Sequence, residues 1–155
     1  MQGSMGRDAL LGFIAAAIAV VTVHQAIVFG VTNYGLLPAT TKAWNTAPLG
    51  PLNIPTIANS VFWGGLWGAL FGLIHHKLPG GALWLKGLIY GLIITVISNW
   101  TLLPLIKKFV FGVTAPAQIG LFSGGDPKRM LAVVLILAGF GATTGLVYGL
   151  INKKA

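Results

Sequence analysis

Long apolar stretches alternate with short polar breaks along this chain. Four stretches stand out, at about Asp8 to Gly30, Ile57 to Leu78, Ala82 to Leu103 and Lys128 to Ile151. Each holds twenty-odd residues, enough for a helix rising ~1.5 Å per residue to cross a hydrocarbon layer of roughly 30 Å. The breaks carry the signals that end helices. Asp8 is placed to cap the first span, and Asp126 with Pro127 supplies a cap and a first-turn proline for the fourth. Pro79, Gly80 and Gly81 make a tight turn that folds the second and third spans into an antiparallel hairpin, and Pro104 is expected to break the third.

Two connections are longer. Between Val31 and Pro55, four prolines (Pro38, Pro48, Pro51 and Pro55) exclude a continuous helix. Tyr34 and Trp44 in that segment are amphipathic anchors of the head-group level. The segment is too apolar for a free linker and is expected to lie on the membrane or cover the helix ends. From Leu105 to Gly125, Lys107 and Lys108 precede the apolar run VFGVTAPAQIGLF, which reads as a short interfacial helix or a re-entrant segment. The fold class expected is all-α and integral to the membrane, with residues 1–155 forming one transmembrane domain of four helices.

Within the second span, VFWGGLWGALFGLIHHK places Gly64, Gly68 and Gly72 four residues apart, one strip of a helix without side chains. Gly141, Gly145 and Gly149 make the same strip in the fourth span. Glycine weakens a water-exposed helix, but in lipid such a strip lets two backbones come close. The two strips are therefore expected to face each other at the centre of the bundle. Basic ends follow both: His75, His76 and Lys77 after the first, Lys153 and Lys154 after the second. These five residues read as contacts to lipid head groups. Gly12 precedes His24 by the same distance that Gly87 precedes Asn99. The sequence thus reads as a tandem repeat of two two-helix units, about 8–78 and 82–153. Two spans per unit return the chain to its starting side, which implies a pseudo-two-fold axis along the membrane normal.

Composition sharpens this. Hydrophobic residues make up 55% of the chain and charged residues 8%, against roughly 25% charged in soluble domains. The net charge of +8 sits at the ends of apolar runs and forms no basic stripe. It fits anionic head groups rather than nucleic acid. The absence of cysteine excludes disulfides, thiolate metal sites and c-type haem attachment. The first apolar run is too long for the apolar part of a cleaved signal and reads as a retained helix. Basic residues divide evenly between the two sides. Those on the terminal side sit on short segments, which places both termini in the cytoplasm. The localisation expected is a bacterial inner membrane.

Candidate chemistry is sparse. The intramembrane polar residues are His24, Gln25, Asn99 and Thr101. His24 lies roughly 24 Å along the first span, in the half opposite to His75 and His76, so the three histidines of one chain cannot share a metal or haem. Adjacent His75 and His76 point apart on a helix. For His24 the sharper readings are a ligand, a proton relay or a pore-lining group, and the blander one is a hydrogen bond to a neighbouring helix. Asn99, its counterpart in the second unit, has no useful ionisation and favours the packing role. No acid lies inside a span, which removes the usual carboxylate of proton- or sodium-coupled transport and any carboxylate pair for hydrolysis. Ser123-Gly124-Gly125 lacks the Lys and Thr of a phosphate loop. No catalytic or metal-ligating set emerges.

The FWGGLWG segment at Phe62 to Gly68, the His24-Gln25 pair and the proline-rich loop ending in IPTIANS resemble a group of small bacterial inner-membrane proteins of uncharacterised function. The resemblance covers about the first half of the chain and implies no chemistry. The glycine strip is also similar to that of glycine-zipper membrane proteins, a likeness of packing. The leading expectation is a non-enzymatic membrane protein acting by helix packing and association, as an accessory or scaffold subunit of a larger inner-membrane complex or as a self-associating bundle. Its partners would be membrane lipids and other membrane-protein subunits. The alternatives are a small passive channel or carrier working as a dimer, and a binder of haem, pigment or quinone through His24. No cofactor other than lipid is expected under the first reading.

Overall fold

The computed structural model describes residues 4–49, 51–110, 112, 114 and 120–152. Among them are four helices long and apolar enough to cross a membrane: Met5–Asn33, Thr56–Lys77, Leu83–Phe109 and Pro127–Ile151. The first is α1 (Met5–Ala19), a π-helical turn (Val20–His24) and α2 (Gln25–Asn33) in one unbroken rod. The second is α3 (Thr56–Ile74), closed by a 3-10 turn at His75–Lys77. The third joins α4 (Leu83–Ile94), a π-helical segment (Thr95–Leu102) and α5 (Leu103–Phe109). The fourth is α6 (Pro127–Ile151). A minimal antiparallel pair, β1 (Pro48–Leu49) and β2 (Ile54–Pro55), sets Pro48 opposite Pro55 and leads into α3.

The helix ends follow from local chemistry, with two corrections to the expectations above. The first helix begins before Asp8. Ser4 is its cap, accepting from the Arg7 N–H at 3.3 Å, and Asp8 lies one turn inside. Ser4 stands the right distance ahead of a free N–H, so the helix gains an earlier start. The third rod, in turn, does not break at Pro104. There the backbone has already widened into π-helix, and Pro104 falls in the first turn of α5, where its missing N–H leaves no gap. Asp126 caps α6 as expected, accepting from Lys128 N at 2.9 Å ahead of Pro127. The α2 end is a Schellman arrangement: Gly35, at φ 72°, donates to the Thr32 carbonyl, and Leu36 donates to the Val31 carbonyl at 2.9 Å.

On α1 small residues face inward and large ones outward, an arrangement suited to close helix packing in lipid. On α1, Ala15, Ala16 and Ala19 are fully buried, while Leu10, Ile14 and Ile18 are exposed. This small-residue face decides the packing. An added Cβ at Gly68 would land on Ala16 and the Gly12 carbonyl, and one at Gly72 on the Asp8 carbonyl. In the other half, a Cβ at Gly141 would meet the Gly87 carbonyl and Gly91, and one at Gly145 the Leu83 carbonyl. The glycine strips therefore do not face each other. Each lies against the span that precedes it in the chain, because Gly12 and Ala16, or Gly87 and Gly91, offer a surface as bare as the strip itself. The central contact is between α1 and α6, the first and fourth spans. Among the outer strip positions, Gly64 sits against Val20 and Phe140, and the nearest atoms to Gly149 belong to the Leu83 side chain.

Candidate functional site

The polar residues collect at two ends of the bundle. The first group is built on the π-helical turn of the first rod. Widening the helix there sends the Gln25 N–H to the Val20 carbonyl five residues back. The Val21 carbonyl is thereby available to a side chain, and the Trp44 indole N–H donates to it at 2.8 Å. The Trp44 backbone N–H donates to Gln25 Oε1, also at 2.8 Å, and Gln25 Nε2 donates to His24 Nδ1 at 3.2 Å. The His24 ring stands edge-on to Phe140 of α6, 6.2 Å between centroids.

Trp44 is thus a latch. It returns the chain after α2 onto that helix and holds it by two hydrogen bonds. Its φ of 47° lies in the left-handed region. For a bulky residue that conformation costs of order 1–3 kcal/mol. Two hydrogen bonds at about 1 kcal/mol each offset it. By sequence Trp44 is an anchor of the head-group level, which its exposure allows, but nothing in its neighbourhood announces a carbonyl freed by a π-helical turn. Between the loop and α2 lies a cavity of about 410 Å³ lined by Phe29, Thr32, Asn33, Ala39, Thr41, Lys42, Ala43 and Trp44.

His24 and Asn99 do not meet the expectation that each would bond to another helix. His24 bonds to Gln25 of its own rod. Asn99 lies in the second π-helical segment, half-buried, and among the described residues its side chain closes no hydrogen bond. The hydroxyls around it turn back on their own helix: Thr95 donates to the Gly91 carbonyl and Thr101 to the Val96 carbonyl, both at 2.9 Å. Trp100 lies against Phe122, 5.5 Å between ring centroids. Its indole N–H is buried without a partner among the described residues.

The second group is at the opposite end. His75 donates from Nδ1 to the Gly72 carbonyl at 2.8 Å, and its ring lies 4.9 Å from that of Tyr148. Phe71 touches Tyr90 and Tyr148, and the Tyr90 hydroxyl donates to the Trp67 carbonyl at 2.7 Å. The Tyr148 hydroxyl is fully buried and has no hydrogen-bond partner by geometry among the described residues. His75 is therefore turned into the bundle, whereas His76 and Lys77 are exposed. Lys153 and Lys154 lie outside the described residues. Among the described residues no three His, Asp or Glu side chains converge as metal ligands would.

No protein-family model, no curated protein and no solved structure matches this chain.

Proposed function

We propose that this chain is a non-enzymatic integral membrane protein that acts by helix packing and association, as an accessory or scaffold subunit of a larger assembly in a bacterial inner membrane, with both termini in the cytoplasm. The observation that carries this reading is the use made of the polar residues. His24 and Gln25, the best candidates for intramembrane chemistry, are spent holding a surface loop in place. α1 and α6 pack on each other, and the buried residues they carry are mostly small or apolar, among them Ala15, Ala16, Ala19, Ala132, Ile136, Leu137 and Phe140. Outward from the first glycine strip, α3 presents Phe62 and Trp63, both more than half exposed, as surface for a neighbouring helix.

The contacts also support a tandem repeat. Gly12 lies at the Gly68 carbonyl as Gly87 lies at the Gly141 carbonyl, and Gly72 lies at the Asp8 carbonyl as Gly145 lies at that of Leu83. The π-helical segments begin at Val20 and Thr95, and they set His24 and Asn99 at matching places. This pairing equates Gly68 with Gly141, one helical turn away from the strip-on-strip alignment of the sequence. The two units would be related by a pseudo-two-fold axis along the membrane normal.

Extraction of the tagged full chain from native membranes in mild detergent, followed by mass measurement and partner identification, tests the association. A stoichiometric partner or a homo-oligomer is expected. A monomer that conducts small solutes when reconstituted into liposomes would replace this reading with a channel.

A further inference from the structure

The cavity beside Trp44 is not needed for the latch, and its lining has a definite chemistry. Thr32, Asn33, Thr41 and Lys42 contribute the polar atoms, and Phe29, Ala39, Ala43 and Trp44 the apolar walls. No acid lines it. Asp8 begins the same rod that Thr32 ends, a helix-length away, and Asp126 pairs with Arg129 at 3.6 Å. Lys42 is therefore a cation without an acidic partner among the described residues. The Thr32 hydroxyl oxygen is buried and finds no hydrogen-bond partner among them either. Burying a hydroxyl unpaired is unfavourable, so turning the Thr32 side chain toward an acceptor in the cavity relieves that cost. One cation flanked by hydroxyls and an amide calls for a single negative charge on an oxygen-rich group.

Depth and shape point the same way. The cavity lies at the end of a membrane-length helix, beside the exposed Tyr34 and Trp44, residue types that sit at the membrane surface. Phe29 forms one wall and is 58% exposed on the outer surface of α2, where an acyl chain would run. The wall formed by Trp44 is fixed in advance by its two hydrogen bonds. The volume of about 410 Å³ falls within the ordinary range of small-ligand sites. We propose that this cavity binds the phosphodiester head group of an anionic membrane phospholipid, with Lys42 meeting the charge and Thr32, Asn33 and Thr41 supplying hydrogen bonds.

Native mass spectrometry of the full chain, in neutral detergent with equal amounts of phosphatidylglycerol and phosphatidylcholine, tests the site. Preferential retention of phosphatidylglycerol is expected, falling about tenfold in Lys42→Ala and several-fold in Thr32→Val. Lys108→Ala removes an exposed cation on the same side of the bundle, outside the cavity, and should leave retention unchanged. Ala39→Trp keeps the charge and fills the space, so it should abolish retention while elution and melting stay as in the parent. Equal retention of the two lipids, an equal loss in Lys108→Ala, or full retention in a folded Ala39→Trp each overturns the proposal. Displacement of the lipid by millimolar glycerol phosphate or inorganic phosphate would overturn it too, assigning the cavity to a soluble phosphate ester.

Discussion

The two π-helical segments open their helices in the same way and are held in different ways. In the first, the freed Val21 carbonyl is taken by Trp44, a side chain from a loop, and the adjacent Gln25 takes the backbone of the same residue. The opening of the helix thereby fixes a surface structure. In the second, Thr95 and Thr101 bond carbonyls of their own rod, and Trp100 stacks on Phe122 without using its N–H. That opening admits Pro104 into a continuous rod and tethers nothing through a hydrogen bond among the described residues. A π-helical turn is often found at functional sites. Here the contrast shows that what it does depends on which side chain answers the freed carbonyl.

The largest test breaks both halves at once. Gly68→Leu and Gly141→Leu each push a side chain into a backbone of the preceding span. Overpacking of this kind costs typically ~1–3 kcal/mol, and lipid gives no hydrophobic return for the added side chain. Both variants are expected to melt well below the parent in detergent, by similar amounts. If one is harmless, the two helix pairs are not equivalent. Gln25→Leu comes next. It strands the Trp44 N–H and should cost about 1–3 kcal/mol, whereas Asn99→Leu should stay within ~0.5 kcal/mol. Equal effects would remove the distinction between a tethered and an untethered segment.

The indoles give a finer comparison. Trp44→Phe removes one hydrogen bond, worth about 1 kcal/mol, and should speed amide exchange across residues 36–47. Trp100→Phe removes an N–H that has no partner among the described residues and should leave stability level or slightly raised. The reverse order, read by hydrogen exchange and melting, would show that Trp44 does not latch the loop. Smallest of all is His24→Asn, which copies Asn99, the residue of the other π-helical segment, and keeps a small polar group beside Gln25. Folding and assembly are expected to change by less than ~0.5 kcal/mol. Loss of the native assembly or of a cellular phenotype in a folded His24→Asn protein would contradict the association reading and make His24 a ligand or relay.

The spans were legible because lipid demands long apolar helices and the chain marks their ends, as at Asp126-Pro127 and at Pro79 to Gly81. The glycine strips were legible as bare surface, but not their partners. A residue with no side chain carries no sign of what lies over it. The clue was the spacing of Gly12, Ala16 and Ala19, and of Gly87 and Gly91, which gives the preceding helices complementary faces. The π-helical turns left no trace in hydropathy, because they shift hydrogen bonds without changing which residues are apolar. For the same reason Pro104 reads as a stop, and the hydrogen bonds that Trp44 makes to the first rod are not legible. Gly35 is the residue type that a Schellman end requires, but glycine also closes helices by simpler turns, so the two hydrogen bonds at the end of α2 are not legible from it.

The pairing of each glycine strip with the preceding span has a consequence for biosynthesis. By the time Lys77 has left the ribosome, the chain already contains both faces of its first seam, the π-helical turn and the loop that latches onto it. Closing the connection between α2 and α3 carries an entropic cost that grows only slowly with its length. The first two spans therefore have the means to settle against each other while the last two are still being made. The third and fourth spans hold both faces of the second seam and so have the same means, and the contact of α1 with α6 lies between the two pairs.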